Sequence, residues 1–286
     1  MPQLAAARIE KRGNILVLLL LLLGILAQWP DELRWGDGLE LVAVSSHLGV
    51  AHPPGYPLLT LLGRATLFLP GENPYRAMLW ISRASVLACA LGLYSWLKAV
   101  LGLQLSAPGW RCFTAGVVAI SFAWGGSLWP ALVVVEVYGL NAALLVWVAC
   151  LLARAPNEGQ DIGRRALLLA SCLEGLALAN HISSLCMLPL LLSSIWRQAR
   201  ATRQLGSATS SAALLLGIPV ALYATLLPRA AVEHGIAWGG TRDLRSLLVH
   251  LSGGEYGSLK FLMEDLNTPF DLYSWAPFFV KDPARL

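Results

Sequence analysis

Long apolar runs separated by short polar stretches are the feature that most constrains this chain. They lie at roughly 15–29, 79–97, 113–129, 138–153, 166–180, 183–196 and 211–228. A helix needs about 20 mainly apolar residues to cross a bilayer. Hydrophobic residues make up 56% of the chain and charged residues only 13%, whereas a soluble domain has about 25% charged residues. The pattern predicts an all-α polytopic membrane protein, a helical bundle with about seven transmembrane helices.

The first apolar run is interpreted as a retained membrane anchor rather than a cleaved signal peptide. It extends from Asn14 to Trp29 and follows a basic start that contains Arg8, Lys11 and Arg12. No clear small-x-small cleavage site follows it, and further long apolar runs come later in the chain.

The distribution of basic residues predicts the orientation, because cytoplasmic loops carry an excess of lysine and arginine. With a cytoplasmic N-terminus, one side collects Arg8, Lys11, Arg12, Lys98, Arg111, Arg154, Arg164, Arg165, Arg197, Arg200 and Arg203. The stretch 53–70 contains Arg64, and counting it as a span would put the later basic loops on the wrong side. We therefore interpret it as an interfacial or re-entrant element. The expected location is the bacterial inner membrane.

This topology divides the chain into a transmembrane catalytic domain, residues 1–228, and an outer polar tail, residues 229–286. The first outer loop covers residues 30–78.

The apolar stretch 166–196 is too long for one crossing and has basic residues at both ends, so it predicts a hairpin with "ANHIS" at its tip. Each arm has only about 15 residues, or about 22 Å of helix, which is shorter than the roughly 30 Å hydrocarbon core. Asn180 and His181 are therefore expected below the outer surface, in a water-lined cavity.

Polar residues that could carry chemistry fall mainly at the predicted outer side. Asp37 and Glu40 are three residues apart and would share one face of a helix that starts near Gly38. They fit two interpretations: a helix cap with a solvated turn, or a general base with a neighbouring carboxylate that raises its pKa. Acid pairs can also bind a divalent cation, although no histidine or cysteine spacing requires a metal site.

The segment "HPPGYP", residues 52–57, is the most specific local feature. Its prolines and glycine restrict the backbone, so little entropy is lost when a site is ordered around it. His52 and Tyr56 would then project from a rigid frame that can hold a ligand head group. The alternative is a structural turn that opens an interfacial helix.

Further candidates lie at the ends of the predicted spans or, for Glu174, in the middle of one. Glu136 and Glu174 are carboxylates within apolar sequence, which is costly and marks a functional residue by default. A hydrogen bond between helices would also explain Glu174. Asn180 and His181 form either a satisfied polar turn or a pair of donors to a phosphate or a sugar hydroxyl.

Several separated motifs together resemble one family. The stretches "GDGLELVAVSSHLGVAHPPGYPLLTLLGRATLFLP" and "NPYRAMLWISR" are followed in order by "VEVYGLNAAL", "GLALANHIS", "HGIAWGG" and "HLSGGEYG". Together they resemble the transmembrane O-mannosyltransferase-like proteins, which are GT-C-type integral-membrane glycosyltransferases. The likeness covers roughly residues 35–260. The family's acidic motif more often reads Asp-Ser-Gly-Glu, and this chain keeps both carboxylates at the same spacing.

The resemblance implies a GT-C-like helical bundle that uses a polyprenyl- or dolichyl-phosphate sugar, with mannose one candidate sugar, at the outer face. The acceptor would be a hydroxyl on a protein or glycan, and no nucleic-acid partner is expected. Asp37 would be the catalytic base of an inverting transfer and Glu40 the second acid. Arg76, His52 and His181 are the candidates for stabilising the lipid phosphate.

Two other functions stay open on the sequence. A transporter or flippase for a lipid-linked sugar would place polar residues along a path through the bilayer, whereas here they cluster at one side apart from Glu174. An inactive scaffold derived from the enzyme is the second alternative. The chain is shorter than a typical GT-C enzyme, so we expect a fragment, a truncated gene or a compact relative.

Overall fold

The computed structural model describes residues 2–27, 36–68, 73–102, 104–125, 134–154, 160–202, 205–231, 236–238 and 240–253. Its α-helices are α1 (Pro2–Ala27), α2 (Asp37–His47), α3 (Pro57–Thr66), α4 (Pro74–Leu101), α5 (Pro108–Trp124), α6 (Val137–Arg154), α7 (Gln160–Leu178), α8 (Leu188–Thr202), α9 (Leu205–Ala224), α10 (Leu226–Arg229) and α11 (Leu244–Leu251). A 3-10 helix at Ile182–Met187 precedes α8. The described residues contain one isolated parallel bridge, Val50 to Ala237, and no extended strand.

Local sequence sets several of these helix starts. Pro57, Pro74 and Pro108 open α3, α4 and α5. Proline suits the first helical turn because its missing N–H would have no partner there. Asn73 caps α4 by accepting a hydrogen bond from the backbone N–H of Arg76 at 2.8 Å, which satisfies one of the free donors at the helix start.

The described helices pack in four apolar clusters, of which the smallest holds Val50, Leu226 and Leu247. Helices α1, α4 and α5 meet around Leu21, Val86 and Ala119. Helices α6 to α9 meet around a second cluster. A third lies beneath the 48–56 loop and joins α2, α3 and α4. Small residues allow close helix contacts, as at Gly116, where a Cβ would lie 2.7 Å from the Val17 side chain.

The helical class that the apolar runs predicted is confirmed for the described residues. Among the described residues, two stretches are long and apolar enough to cross a bilayer: Pro74–Leu101 and Ala208–Arg229, which joins α9 and α10. Val137–Ala153 is a shorter apolar helix. These helices give weak support to membrane association, and about seven crossings and their orientation stay a prediction.

The hairpin predicted for 166–196 is present. Helix α7 ends at Leu178 and the chain reverses through the 3-10 helix into α8. Asn180 at the tip is fully buried, and its Nδ2 donates to the carbonyl oxygen of Val137 at 3.0 Å. The tip therefore packs on the start of α6.

The two ends of α4 belong to different surroundings. Tyr75 and Met78 at its start pack beneath the 48–56 loop. Lys98, roughly 35 Å along the helix, donates to Glu10 Oε1 at 2.7 Å and to Asn14 Oδ1 at 2.9 Å. The predicted outer and cytoplasmic ends of α4 are thus separated in the fold.

Candidate functional site

Asp37, Glu40 and His52 converge where α2 begins. Asp37 is the first residue of α2, and Gly36, with φ of 134°, takes the N-cap position expected for Asp37. Such a φ lies in the region that favours glycine. Asp37 and Glu40 lie on the first turn, as their spacing predicted, and a carboxylate there is stabilised by the helix dipole.

The 48–56 loop returns His52 to α2. Leu48 ends α2 with φ of 52°, and the Pro53–Pro54 peptide is cis. Gly55 and Tyr56 have φ of 96° and 43°, and Tyr56 is the N-cap residue of α3. A tyrosine with positive φ costs on the order of 1–3 kcal/mol, and such residues concentrate at functional sites.

His52 and Glu40 form a double contact. The His52 backbone N–H donates to Glu40 Oε1 at 2.7 Å, and His52 Nδ1 lies 2.9 Å from Glu40 Oε2. On its other side, His52 Nε2 lies 3.0 Å from the Tyr56 hydroxyl and 3.7 Å from Asp37 Oδ2. Asp37 is 61% exposed and the His52 side chain 14%. One carboxylate is therefore held in the pair while the other is open to a ligand.

The pKa shifts follow from these contacts. The hydrogen bond to Glu40 raises the pKa of His52 against the opposing effect of burial, and the charges of Glu40, Asp37 and Glu136 add to it. Burial acts to raise the pKa of Glu40, but the hydrogen bonds from His52 outweigh it and lower that pKa. The pair therefore favours an imidazolium facing a carboxylate.

Glu136 joins the site from the start of α6. Burial, then the charge of Asp37, raises the pKa of Glu136. A Cβ on Gly38 would lie 2.9 Å from the carbonyl oxygen of Val135, so the glycine permits this segment to approach α2. Ser82 also holds the segment by donating to the carbonyl oxygen of Val134 at 3.0 Å. Glu136 is therefore positioned by backbone contacts with neighbouring elements.

A distant segment completes the site. The Val50 N–H donates to the Ile236 carbonyl oxygen at 2.8 Å, and the Trp238 N–H donates to the Val50 carbonyl oxygen at 3.1 Å. Trp238 thereby lies 6.4 Å from His52 between ring centroids, and it also hydrogen-bonds Glu40. In the sequence Trp238 is only one residue of the "HGIAWGG" stretch, and nothing local reveals a contact across more than 180 residues of chain.

Gly49 provides a test of the backbone contact between Val50 and residues 236–238. A Cβ at Gly49 would overlap the carbonyl oxygen of Ile236. We expect Gly49→Ala to lower stability by about 1–3 kcal/mol, the range for overpacking. Gly217→Ala is the matched control, because nothing lies within 4 Å of its added Cβ. Thermal unfolding in detergent gives the melting temperature of each variant. Equal melting temperatures would show that the contact between Gly49 and Ile236 does not contribute to stability.

Of the remaining predicted site residues, His181 contacts this cluster through Tyr56. His181 stacks on Tyr56 with ring centroids 6.1 Å apart and an angle of 6°. Asn180 is buried beneath it, with Nδ2 occupied by Val137. Arg76 lies on the first turn of α4, next to the buried Tyr75. Glu174 is fully buried within α7, and the last four residues of the "HLSGGEYG" stretch lie outside the described residues.

Asp37, Glu40 and His52 could also hold a cation. One ligand atom from each lies within 4.8 Å of the others. Carboxylate and imidazole are suitable ligands for several divalent metals. Two of the possible ligand atoms, His52 Nδ1 and Glu40 Oε2, already contact each other at 2.9 Å.

Comparison with known proteins identifies similar chains. The family described as "Protein O-mannosyl-transferase TMEM260 N-terminal domain" matches residues 37–204. The protein O-mannosyl-transferase TMEM260 of Mus musculus is 30% identical over 256 residues, covering 84% of this chain and 33% of the relative. Its counterpart in Dictyostelium discoideum is 27% identical over 276 residues, covering 88% and 32%. The chain spans about one third of the length of these relatives, and no solved structure shows a significant match.

Proposed function

The chain belongs to the family of the protein O-mannosyl-transferase TMEM260 N-terminal domain, and from this premise we propose that it transfers a mannosyl group from a polyprenyl- or dolichyl-phosphate donor to an acceptor hydroxyl. The relatives' names support a mannosyl transfer to a protein. The observation that carries the proposal is the exposed Asp37 carboxylate beside the His52–Glu40 pair. A GT-C-type bundle with its site at the outer membrane face is part of the same proposal.

Asp37 acts as the general base. It takes the proton from the acceptor hydroxyl, and the resulting oxygen attacks the anomeric carbon. The bond between that carbon and the phosphate oxygen breaks, the lipid phosphate leaves with the electron pair, and the anomeric configuration inverts. Because His52 Nε2 lies 3.7 Å from Asp37 Oδ2, the imidazolium orients the carboxylate and the Glu40 contact orients His52.

An apolar groove offers a place for the donor's lipid tail. Its volume is about 670 Å³, and it lies between α3, α4, α6 and α7. Leu62, Trp80, Ile81, Leu140 and Leu173 are among its lining residues. Ile81 and Leu140 also pack against the cluster beneath the 48–56 loop, so the groove adjoins the site that would hold the phosphate and sugar.

The proposal is tested with the chain reconstituted in lipid vesicles. Radiolabelled mannose is supplied on polyprenyl phosphate or on a nucleotide diphosphate, together with a serine- and threonine-containing peptide. We expect label to enter the peptide from the lipid donor alone. Movement of intact lipid-linked mannose across the bilayer without transfer would favour the flippase, and inactivity with both donors would favour the scaffold.

We expect this transfer to continue when divalent cations are removed. The imidazolium of His52 supplies positive charge beside both carboxylates, which is the role that a cation would otherwise fill. The measurement is the initial transfer rate with a chelator, compared with excess Mg²⁺ or Mn²⁺. A rate that falls more than tenfold with the chelator and returns with the metal would instead assign Asp37, Glu40 and His52 to a cation site.

A further inference from the structure

His181 is held in one protonation form by its neighbours. The backbone N–H of Ser183 donates to His181 Nδ1 at 3.1 Å, and the Ser183 hydroxyl lies 2.8 Å from the same nitrogen. A backbone N–H can only donate, so Nδ1 must carry a lone pair. The neutral ring therefore has its proton on Nε2. Burial also lowers the pKa of His181, which disfavours the charged form.

Asn141 extends this arrangement into α6. Its Nδ2 donates to Ser183 Oγ at 3.1 Å, and its Oδ1 accepts from Ser184 Oγ at 2.8 Å. Because Ser183 Oγ accepts from Asn141, its own proton is directed to His181 Nδ1. Asn141 is buried, so the hydrogen-bonded series Asn141–Ser183–His181 begins at a side chain that packing holds in place.

Two aromatic rings flank the imidazole. Tyr56 stacks on one side, and Tyr138 lies 5.4 Å away between ring centroids at an angle of 59°. Tyr138 is 60% exposed. Within the part of the chain that the structure describes, His181 Nε2 has no hydrogen-bond partner, and it offers one directed N–H beside an exposed aromatic ring.

We propose that Tyr138 and His181 bind the sugar ring of the donor, with His181 Nε2–H donating to a ring hydroxyl and with Asn141 as the positioning residue. The inference rests on the proposed function and names the sugar subsite of that site. Apolar C–H faces of a sugar pack on aromatic rings, while its hydroxyls require hydrogen-bond partners. A neutral ring with one N–H suits a hydroxyl, whereas strong phosphate sites use arginine, lysine or helix N-termini.

The geometry divides the site around Tyr56. His52, Glu40 and Asp37 lie at one edge of its ring, with His52 5.0 Å away between centroids at 75°. His181 lies across its face. A sugar seated on Tyr138 and His181 would point its reacting carbon toward the carboxylate side, which is the placement that a base at Asp37 requires.

Nitrogen NMR of the chain in lipid nanodiscs, labelled with ¹⁵N at histidine, tests the inference without any transfer. His181→Gln identifies the His181 signals. We expect the neutral ring to carry its proton on Nε2, and polyprenyl phosphate mannose to shift that resonance while polyprenyl phosphate does not. A proton on Nδ1, equal shifts with both lipids, or no shift with the mannosyl lipid would each overturn the proposal.

Substitutions separate the contribution of the Asn141 hydrogen bond from that of the Tyr138 ring. Asn141→Asp keeps the shape but loses the donor to Ser183 Oγ, so the Ser183 hydroxyl proton is no longer directed to His181 Nδ1. The Ser183 backbone N–H remains, so we expect the proton to stay on Nε2, the Nδ1 resonance to shift, and mannosyl-lipid binding to weaken by roughly fivefold to tenfold, the effect of one hydrogen bond. Tyr138→Leu should weaken binding similarly, and Tyr138→Phe should not. Asn73→Asp is the matched control, because aspartate also caps α4. An Asn141→Asp spectrum identical to that of the unaltered chain would contradict the role of Asn141, whereas mannosyl-lipid binding without transfer would contradict the proposed function alone.

Discussion

Asp37→Asn is expected to lower the rate of mannosyl transfer by about 10²–10⁴-fold, the contribution of a positioned general base. Asparagine keeps the size of the side chain but cannot take the proton from the acceptor hydroxyl. Asp37 is 61% exposed, so the substitution removes little packing and the fold should persist. The initial rate with the lipid donor and a peptide acceptor measures the loss.

The control for this prediction is Asp161→Asn. Asp161 is also an exposed acid in the first turn of a helix, α7, but it lies far along the chain from the 48–56 loop. We expect the control to transfer mannose at the unaltered rate, with both variants retaining the same helical signal by circular dichroism. A fully active Asp37→Asn would show that another group takes the proton.

Glu40→Gln is expected to lower transfer by roughly 10- to 100-fold, because displacement of catalytic groups by about 1 Å can cost 10²-fold. Glu40 accepts from both the backbone and the ring of His52. Glutamine retains one acceptor oxygen but loses the charge that favours the imidazolium. His52 would then be less often protonated and less well placed beside Asp37.

The same variant should change the pH dependence of transfer. The pKa of His52 is raised by Glu40, so the contribution of the imidazolium is present at low pH and is lost as pH rises through that pKa. Removing the Glu40 charge lowers the pKa, and the alkaline limb of the profile should move to lower pH. Burial acts to raise the pKa of Glu40, but its hydrogen bonds from His52 lower it overall. In the unaltered chain the ion pair between His52 and Glu40 is therefore lost as pH falls through the pKa of Glu40, which sets the acid limb of the profile.

Glu10→Gln separates this effect from the general loss of an acidic side chain. Glu10 also contacts a basic residue, accepting from Lys98 at 2.7 Å at the far end of α4. We expect it to leave the transfer rate and its alkaline limb unchanged. An unshifted alkaline limb in Glu40→Gln would show that His52 does not titrate in the reaction.

The sequence predicted the helices and the group Asp37, Glu40, His52 and Tyr56, because both depend on local patterns. Apolar runs set the helices, and the spacing of Asp37 and Glu40 placed both carboxylates on one turn. The unusual proline-rich run marked His52 and Tyr56. Each of these features lies within about 20 residues of the others, so short stretches of chain determine where they meet.

The roles of Trp238, Tyr138 and Asn141 depend on contacts between distant parts of the chain. Trp238 reaches His52 through a backbone bridge at Val50. Asn141 and Tyr138 meet His181 because Asn180 fixes the hairpin tip on α6. An asparagine and a tyrosine near a helix start are ordinary in sequence, and only their placement beside His181 gives them a role. The number of membrane crossings and the bacterial location stay predictions, and both relatives compared are eukaryotic.

The stereochemical course of the reaction tests the central claim most directly. Mannose is transferred from a lipid phosphate donor of known anomeric configuration to a peptide, and NMR of the glycopeptide gives the configuration of the new bond. A single displacement with Asp37 as base predicts complete inversion. Retention would rule out a single back-side displacement and would contradict the account.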